Sequence, residues 1–168
     1  MEKVLILGAG LVTKPIVKYL LNTKYIKVTV ASRTVRKAEL LIENNENGKA
    51  VAIDVNNDLE LESLVKENNI VISLLPYTFH VKVARYCLKH LKHLITTSYV
   101  SPAMKNLHNE AVEKGLLFLN EIGLDPGIDH MSAMKIIDEI KLKEGKVISF
   151  ESICGGLPAP DANDNPFG

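Results

Sequence analysis

Lys3-Val4-Leu5-Ile6-Leu7-Gly8-Ala9-Gly10 opens the chain, and Ile26-Lys27-Val28-Thr29-Val30-Ala31 runs into Ser32-Arg33-Thr34 one helical stretch later. The first run is almost wholly aliphatic over Lys3–Leu7 and is broken by glycine. Leu11–Leu21 then carries apolar residues at helical spacing, and Ile26–Ala31 is a β-branched strand pattern. Strand, glycine turn, helix and strand in that order begin a dinucleotide-binding βαβ unit. The glycines let the backbone turn sharply and approach a pyrophosphate, whose charge is held by the amides opening the helix. As a fingerprint the loop is incomplete, because Thr13 takes its third small position. The far end of the unit says more. Where a carboxylate would grip the ribose of NAD, the chain has Arg33. A guanidinium there makes paired hydrogen bonds to a 2′-phosphate, with the Ser32 and Thr34 hydroxyls completing the cradle. This favours NADP; stacking of Arg33 on adenine, or its exposure to solvent, is the other reading.

Outward from that unit, strand-like and helix-like runs alternate. Val35–Glu46 reads as a helix with Ala38, Leu41 and Ile42 facing inward, and Ala50–Ile53 as a short strand ending at Asp54. Asp58–Glu67 is an amphipathic helix and Ile70–Leu75 an apolar strand halted by Pro76. His80–Leu91 is a helix, Leu94–Thr97 a strand ending at Thr97-Ser98-Tyr99, and Pro102–Lys114 a helix terminated by Gly115. Leu116–Leu119 is a sixth strand, Pro126–Lys143 a long helix and Lys146–Ile153 a further strand. Such alternation predicts an α/β fold, a doubly wound parallel sheet of Rossmann type with helices on both faces. Right-handed crossovers put the carboxyl ends of the strands along one edge, where ligands bind. We expect residues 1–145 to form the nucleotide-binding domain. Residues 146–168 would begin the crossover into a second domain that this chain does not contain.

At 168 residues the chain suits one domain with a real core. Lys plus Arg and Asp plus Glu are both 20, so no net field recruits nucleic acid or an anionic membrane. Trp is absent and aromatic residues make up 5%, which suits an aliphatic sheet core better than a base-stacking platform. Cys87 and Cys154 make no disulfide framework and lack metal-site spacing, so a reducing compartment is expected. The N-terminus enters a strand directly, and no apolar run approaches the roughly 20 residues needed to cross a bilayer. A cytoplasmic protein is the expectation.

Several strand-end residues carry two readings. Asp54 meets an adenine ring or simply caps its turn. Leu75-Pro76 ends the fourth strand where a nicotinamide would run, or merely stops it. Asp125, before Pro126 at a helix start, reads first as an N-cap and second as a grip on an amine or water. The five histidines, His80, His90, His93, His108 and His130, include no pair at metal-binding spacing with a carboxylate partner, and no metal is expected.

Four motifs then converge. Val71-Ile72-Ser73-Leu74-Leu75-Pro76-Tyr77, Thr97-Ser98-Tyr99-Val100-Ser101-Pro102, Leu124-Asp125-Pro126-Gly127-Ile128-Asp129-His130-Met131 and Cys154-Gly155-Gly156-Leu157-Pro158-Ala159-Pro160 resemble the saccharopine dehydrogenase (saccharopine reductase) family of the NADP-dependent, L-glutamate-forming type. The resemblance runs along the whole chain but covers only the N-terminal part of such an enzyme. It implies an oxidoreductase of lysine metabolism that interconverts saccharopine with L-glutamate and 2-aminoadipate 6-semialdehyde through an imine. Carried over by position, Gly8, Gly10, Leu11 and Val12 would hold the pyrophosphate and Ser32, Arg33 and Thr34 the 2′-phosphate. Asp54 and Val55 would lie at the adenine, and Leu75, Thr97, Ser98 and Leu124–Pro126 beside the rest of the cofactor. Ser98, Tyr99 and Asp125 would contact saccharopine, Cys154 would lie at the pocket mouth, and Asp125 and Tyr99 would handle protons. A homodimer is implied for the full-length enzyme. The alternatives are a related imine reductase, such as a carboxynorspermidine or lysine dehydrogenase, and a non-catalytic NADP-binding module.

Overall fold

The computed structural model describes residues 1–153 and Gly155. Six strands form one sheet: β1 (Glu2–Leu7), β2 (Ile26–Ser32), β3 (Gly48–Ala52), β4 (Ile70–Ser73), β5 (His93–Thr96) and β6 (Phe118–Leu119). Every pairing is parallel and the order is β3-β2-β1-β4-β5-β6. The chain starts in the middle, winds outward to β3, then crosses over and winds the other way from β4. The reversal lies between β1 and β4, and at such a switch point the strand-end loops diverge and leave a crevice.

Alternation along the central strand shows how the sheet is covered. In β1, Val4 and Ile6 face one way and Leu5 and Leu7 the other, and all four are buried. Val4 and Ile6 join Val17 and Leu21 of α1 (Thr13–Leu21) and Ala38 and Ile42 of α2 (Val35–Ile42). Leu5 and Leu7 pack with Leu61 and Val65 of α3 (Asp58–Glu67), and with Val83, Ala84 and Cys87 of α4 (His80–His90). A strand buried on both faces must be apolar throughout, which is why Val4–Leu7 and Ile70–Ile72 read as unbroken hydrophobic runs. Cys87 is part of this packing, and burial pushes its thiol up to about 12.

The expected elements differ most in three places. The helix from Val35 ends at Ile42, because Glu43 and Asn44 turn into the left-handed region at φ 52° and 58°. The helix expected over Pro102–Lys114 is two pieces, α5 (Pro102–Lys105), with Ser101 capping the Met104 amide, and α6 (His108–Glu113). Lys146–Ile153 is not a strand, since it pairs with none of the six. The last helix, α7, spans Ile128–Leu142 and buries none of its residues.

Candidate functional site

The crevice predicted by the topology is present as a cleft of 440 Å³ across the carboxyl edge of β1, β2 and β4. Its floor is the glycine turn. Gly8 sits at φ +113°, and a Cβ there would stand 3.0 Å from the Leu74 carbonyl oxygen, so only glycine lets β1 and β4 approach this closely. A Cβ on Gly10, by contrast, would meet nothing within 4 Å, which leaves open space above the turn. Thr13 is fully buried as the first residue of α1, with its hydroxyl 3.5 Å from the Gly8 carbonyl oxygen. It thus takes the close-packing place of the third glycine. No side chain caps α1, and the Thr13 amide donates to the Gly10 carbonyl oxygen at 3.2 Å, so the helix start lies against the turn. Leu11 and Val12 project into solvent beside the cleft.

The far end of the cleft is lined by Ser32, Arg33 and Thr34 and also by Lys37, which the sequence reading did not single out. Lys37 lies in the first turn of α2, on the side facing Arg33's loop, whereas Arg36 pairs with Glu39 at 3.5 Å. Neither Arg33 nor Lys37 is held by an ion pair among the described residues, so two cations flank one end of the cleft. The signal was present in the sequence: one helical turn after the strand-end basic residue, a second base returns to the same side. Apolar side chains of Ile53, Val55, Leu74, Leu75 and Phe79 wall the space between. Open room over Gly10, a helix start with no side-chain cap, a dication end and apolar walls suit a pyrophosphate, a 2′-phosphate and a flat ring in turn.

Asp54 does not line this cleft. Its Oδ1 accepts from the Asn56 backbone amide and side-chain amide, each at 2.9 Å, which is the turn-forming role. Val55 does line the cleft, and the loop is pinned from behind by Lys82, whose Nζ donates to the Val55 carbonyl at 2.8 Å and lies 2.7 Å from Asp58.

Next to the adenosine-sized cleft, the ends of β5 and β6 form a second group of residues. The Glu121 carboxylate accepts from the Val100 amide at 3.0 Å, and the Glu121 amide donates to the Ser98 carbonyl at 3.2 Å, stitching the two loops together. A Cβ on Gly123 would stand 2.8 Å from the Thr97 carbonyl oxygen, so this glycine lets the Gly123–Gly127 turn lie on Thr97. The Asp125–Pro126 peptide is cis. Asp125 is not the helix N-cap that its position before Pro126 suggested. That place is taken by Gly127, and Asp129 Oδ1 reaches back to accept from the Gly127 amide at 2.8 Å. Freed from capping, the Asp125 carboxylate accepts a hydrogen bond from Tyr99 Oη at 2.9 Å. Two residues distant in sequence, both singled out for proton handling, therefore meet, and both are exposed. Ser98 is half-buried and touches His80, with Oγ 3.0 Å from Nε2. His130 is on the surface of α7 against Asp129. Cys154 lies outside the described residues.

Comparison with known proteins agrees with this anatomy. The family model for the saccharopine dehydrogenase NADP binding domain matches residues 4–119, and that for the saccharopine dehydrogenase C-terminal domain matches 123–168. The chain is 48% identical over 168 residues to a saccharopine dehydrogenase (NADP(+), L-glutamate-forming) from Schizosaccharomyces pombe, and spans 37% of that protein's length. It is 43% identical to a mitochondrial alpha-aminoadipic semialdehyde synthase from Bos taurus, spanning 18% of it. The solved structure of apo saccharopine dehydrogenase (L-Glu forming) from Saccharomyces cerevisiae superposes with a TM-score of 0.80 at 45% identity, over 99% of this chain and 37% of that one. A 3-ketoreductase from Actinomadura kijaniata, at 19% identity and TM-score 0.63, shares the fold. With a cleft at the topological switch point and family models matching residues 4–119 and 123–168, the chain belongs to the saccharopine dehydrogenase family and carries its NADP-binding domain.

Proposed function

We propose that this chain is the NADP-binding part of an oxidoreductase that interconverts saccharopine with L-glutamate and 2-aminoadipate 6-semialdehyde. The observation that carries the reading is sequence identity of 48% along the whole chain to a protein of that named activity. The cleft supports it, since its residues suit the cofactor that the reaction needs.

When bound, NADP supplies a hydride acceptor for the carbon beside saccharopine's secondary amine, and its reduced form supplies the hydride for the reverse reaction. The chain's own residues do the rest on this side of the pocket. Gly8 and Gly10 would keep the backbone low beneath the pyrophosphate, and Arg33 with Lys37, Ser32 and Thr34 would hold the 2′-phosphate. Leu75, which lines the cleft, and Thr97 would lie beside the nicotinamide half. Oxidation leaves an imine to which water adds, and the carbinolamine collapses to amine and aldehyde. Those steps move protons, and Asp125 with Tyr99 is the pair in position to carry them. Tyr99 Oη donates to Asp125 Oδ1 at 2.9 Å, which places the phenol and the carboxylate together where the amine or the water would react.

Residues that bind the substrate's outer carboxylates, the homodimer interface and a cytoplasmic setting are further parts of this proposal. The setting rests on the cysteine content. The test is a substrate panel on the full-length enzyme with NADPH and NADH. Saccharopine turnover with NADP(H) preference is expected; turnover of a carboxynorspermidine or lysine analogue instead would overturn it.

A further inference from the structure

His80 is the most enclosed titratable group near the site, 4% exposed at the start of α4. Its ring bridges two serine hydroxyls, with Nδ1 2.9 Å from Ser73 Oγ and Nε2 3.0 Å from Ser98 Oγ. Ser73 ends β4 and Ser98 follows β5, so the ring ties together the carboxyl ends of adjacent strands.

The direction of the two hydrogen bonds follows from burial. Ser73 is wholly buried, and His80 Nδ1 is the partner its hydroxyl has among the described residues. A buried hydroxyl that only accepted would leave its own proton unpaired, a loss of about 1–3 kcal/mol. The Ser73 proton therefore lies on the bond to Nδ1. A neutral imidazole has one donor and one acceptor, so Nε2 carries the ring proton and donates to Ser98 Oγ. Burial lowers the His80 pKa, which keeps the ring in this neutral form. With one lone pair occupied by Nε2–H, Ser98 keeps its own proton for a partner on its open side. Ser98 is half-buried and stands next to Tyr99, which meets Asp125.

We propose that His80 is a positioning residue that fixes Ser98 as a hydrogen-bond donor toward an acceptor oxygen of the bound substrate. This rests on the reading of Ser98 as a substrate contact. His80 itself does not reach the substrate. It acts through one hydroxyl, and Ser73 sets its polarity.

Two measurements on the full-length enzyme test the idea. In the first, histidine-selective isotope labelling and long-range nitrogen–proton NMR report which ring nitrogen is protonated. The Nε2–H tautomer is expected; an Nδ1–H or doubly protonated His80 would overturn the assignment. In the second, saccharopine kinetics are compared for Ser98→Ala, His80→Leu, His80→Gln and the Ser98→Ala/His80→Leu double variant. His80→Leu should lower kcat/KM about tenfold, the usual consequence of losing one such hydrogen bond. His80→Gln, whose amide can still donate at the Nε2 position, should recover most of that loss. The double variant should be no worse than Ser98→Ala alone. A merely structural His80 would give additive losses and no recovery in the glutamine variant, and that result sinks the proposal. Failure of the unmodified enzyme to turn over saccharopine would count against the activity proposed above, and the tautomer then decides His80 by itself.

Discussion

The two halves of the carboxyl edge are built to different degrees of completion. The cofactor half, around Gly8 and Arg33, rests on buried segments of three strands, Val4–Leu7 in β1, Val28, Val30 and Ala31 in β2 and Val71–Ser73 in β4, and its cleft has a floor, walls and a charged end within this chain. The proposed reaction half, around Tyr99 and Asp125, is exposed. Behind it, α7 carries Met131, Met134, Ile136 and Leu142 in the open. The chain spans 37% of the length of its fungal relatives. A binding site for one rigid ligand can be finished by a single sheet edge, whereas a site that must also enclose a second molecule needs another wall.

The largest test of that contrast is stability. Leu5, fully buried in the central strand, should lose about 3 kcal/mol on replacement by Ala, measured by urea unfolding of this chain. The same measurement on Ile136→Ala in α7, where the side chain is exposed, should give less than about 0.5 kcal/mol. A loss at Ile136 comparable to that at Leu5 would mean α7 is part of the same core.

Ligand affinity gives the next step down. Gly8→Ala should weaken NADPH binding by about a hundredfold, because the added Cβ strains a φ of +113° and presses on the Leu74 carbonyl under the pyrophosphate. Arg33→Asp should weaken NADPH by roughly thirtyfold and leave NADH nearly unchanged, since repulsion replaces a charge-assisted pair. Unchanged NADPH affinity would remove Arg33 as the reader of the 2′-phosphate. Lys37→Gln should cost about fivefold in the same titration, as a single point charge near a solvent-exposed phosphate contributes less than a bidentate one.

The smallest expected effect on cofactor binding sharpens the comparison from the other side. Asp125→Asn should leave NADPH affinity within about twofold while reducing saccharopine turnover in the full-length enzyme by about a hundredfold, as expected for loss of a proton carrier. An equal loss in binding and turnover would place Asp125 in the cofactor half instead.

Sequence alone determined the sheet, and did so for a physical reason. Strands buried on both faces leave continuous aliphatic runs, glycine marks the turn that must approach a phosphate, and Arg33 follows its strand directly. Periodicity also fixed Asp58–Glu67 to the residue. What it missed lay in the ends. Glu43 and Asn44 stop α2 through left-handed backbone that neither residue type demands, and Lys146–Ile153 has strand composition but no strand to pair with. Tertiary structure alone decided three further matters. Lys37 faces the Arg33 end of the cleft because α2 starts where it does. Asp125 is released from capping because Asp129 holds the helix start, so it meets Tyr99 across a separation of 26 residues. And His80, one of five unremarkable histidines in the sequence, joins two strand ends because β4 and β5 are neighbours in the sheet. Local pattern encodes what a segment buries, but a polar side chain gets its partner only when the fold brings distant strand ends together.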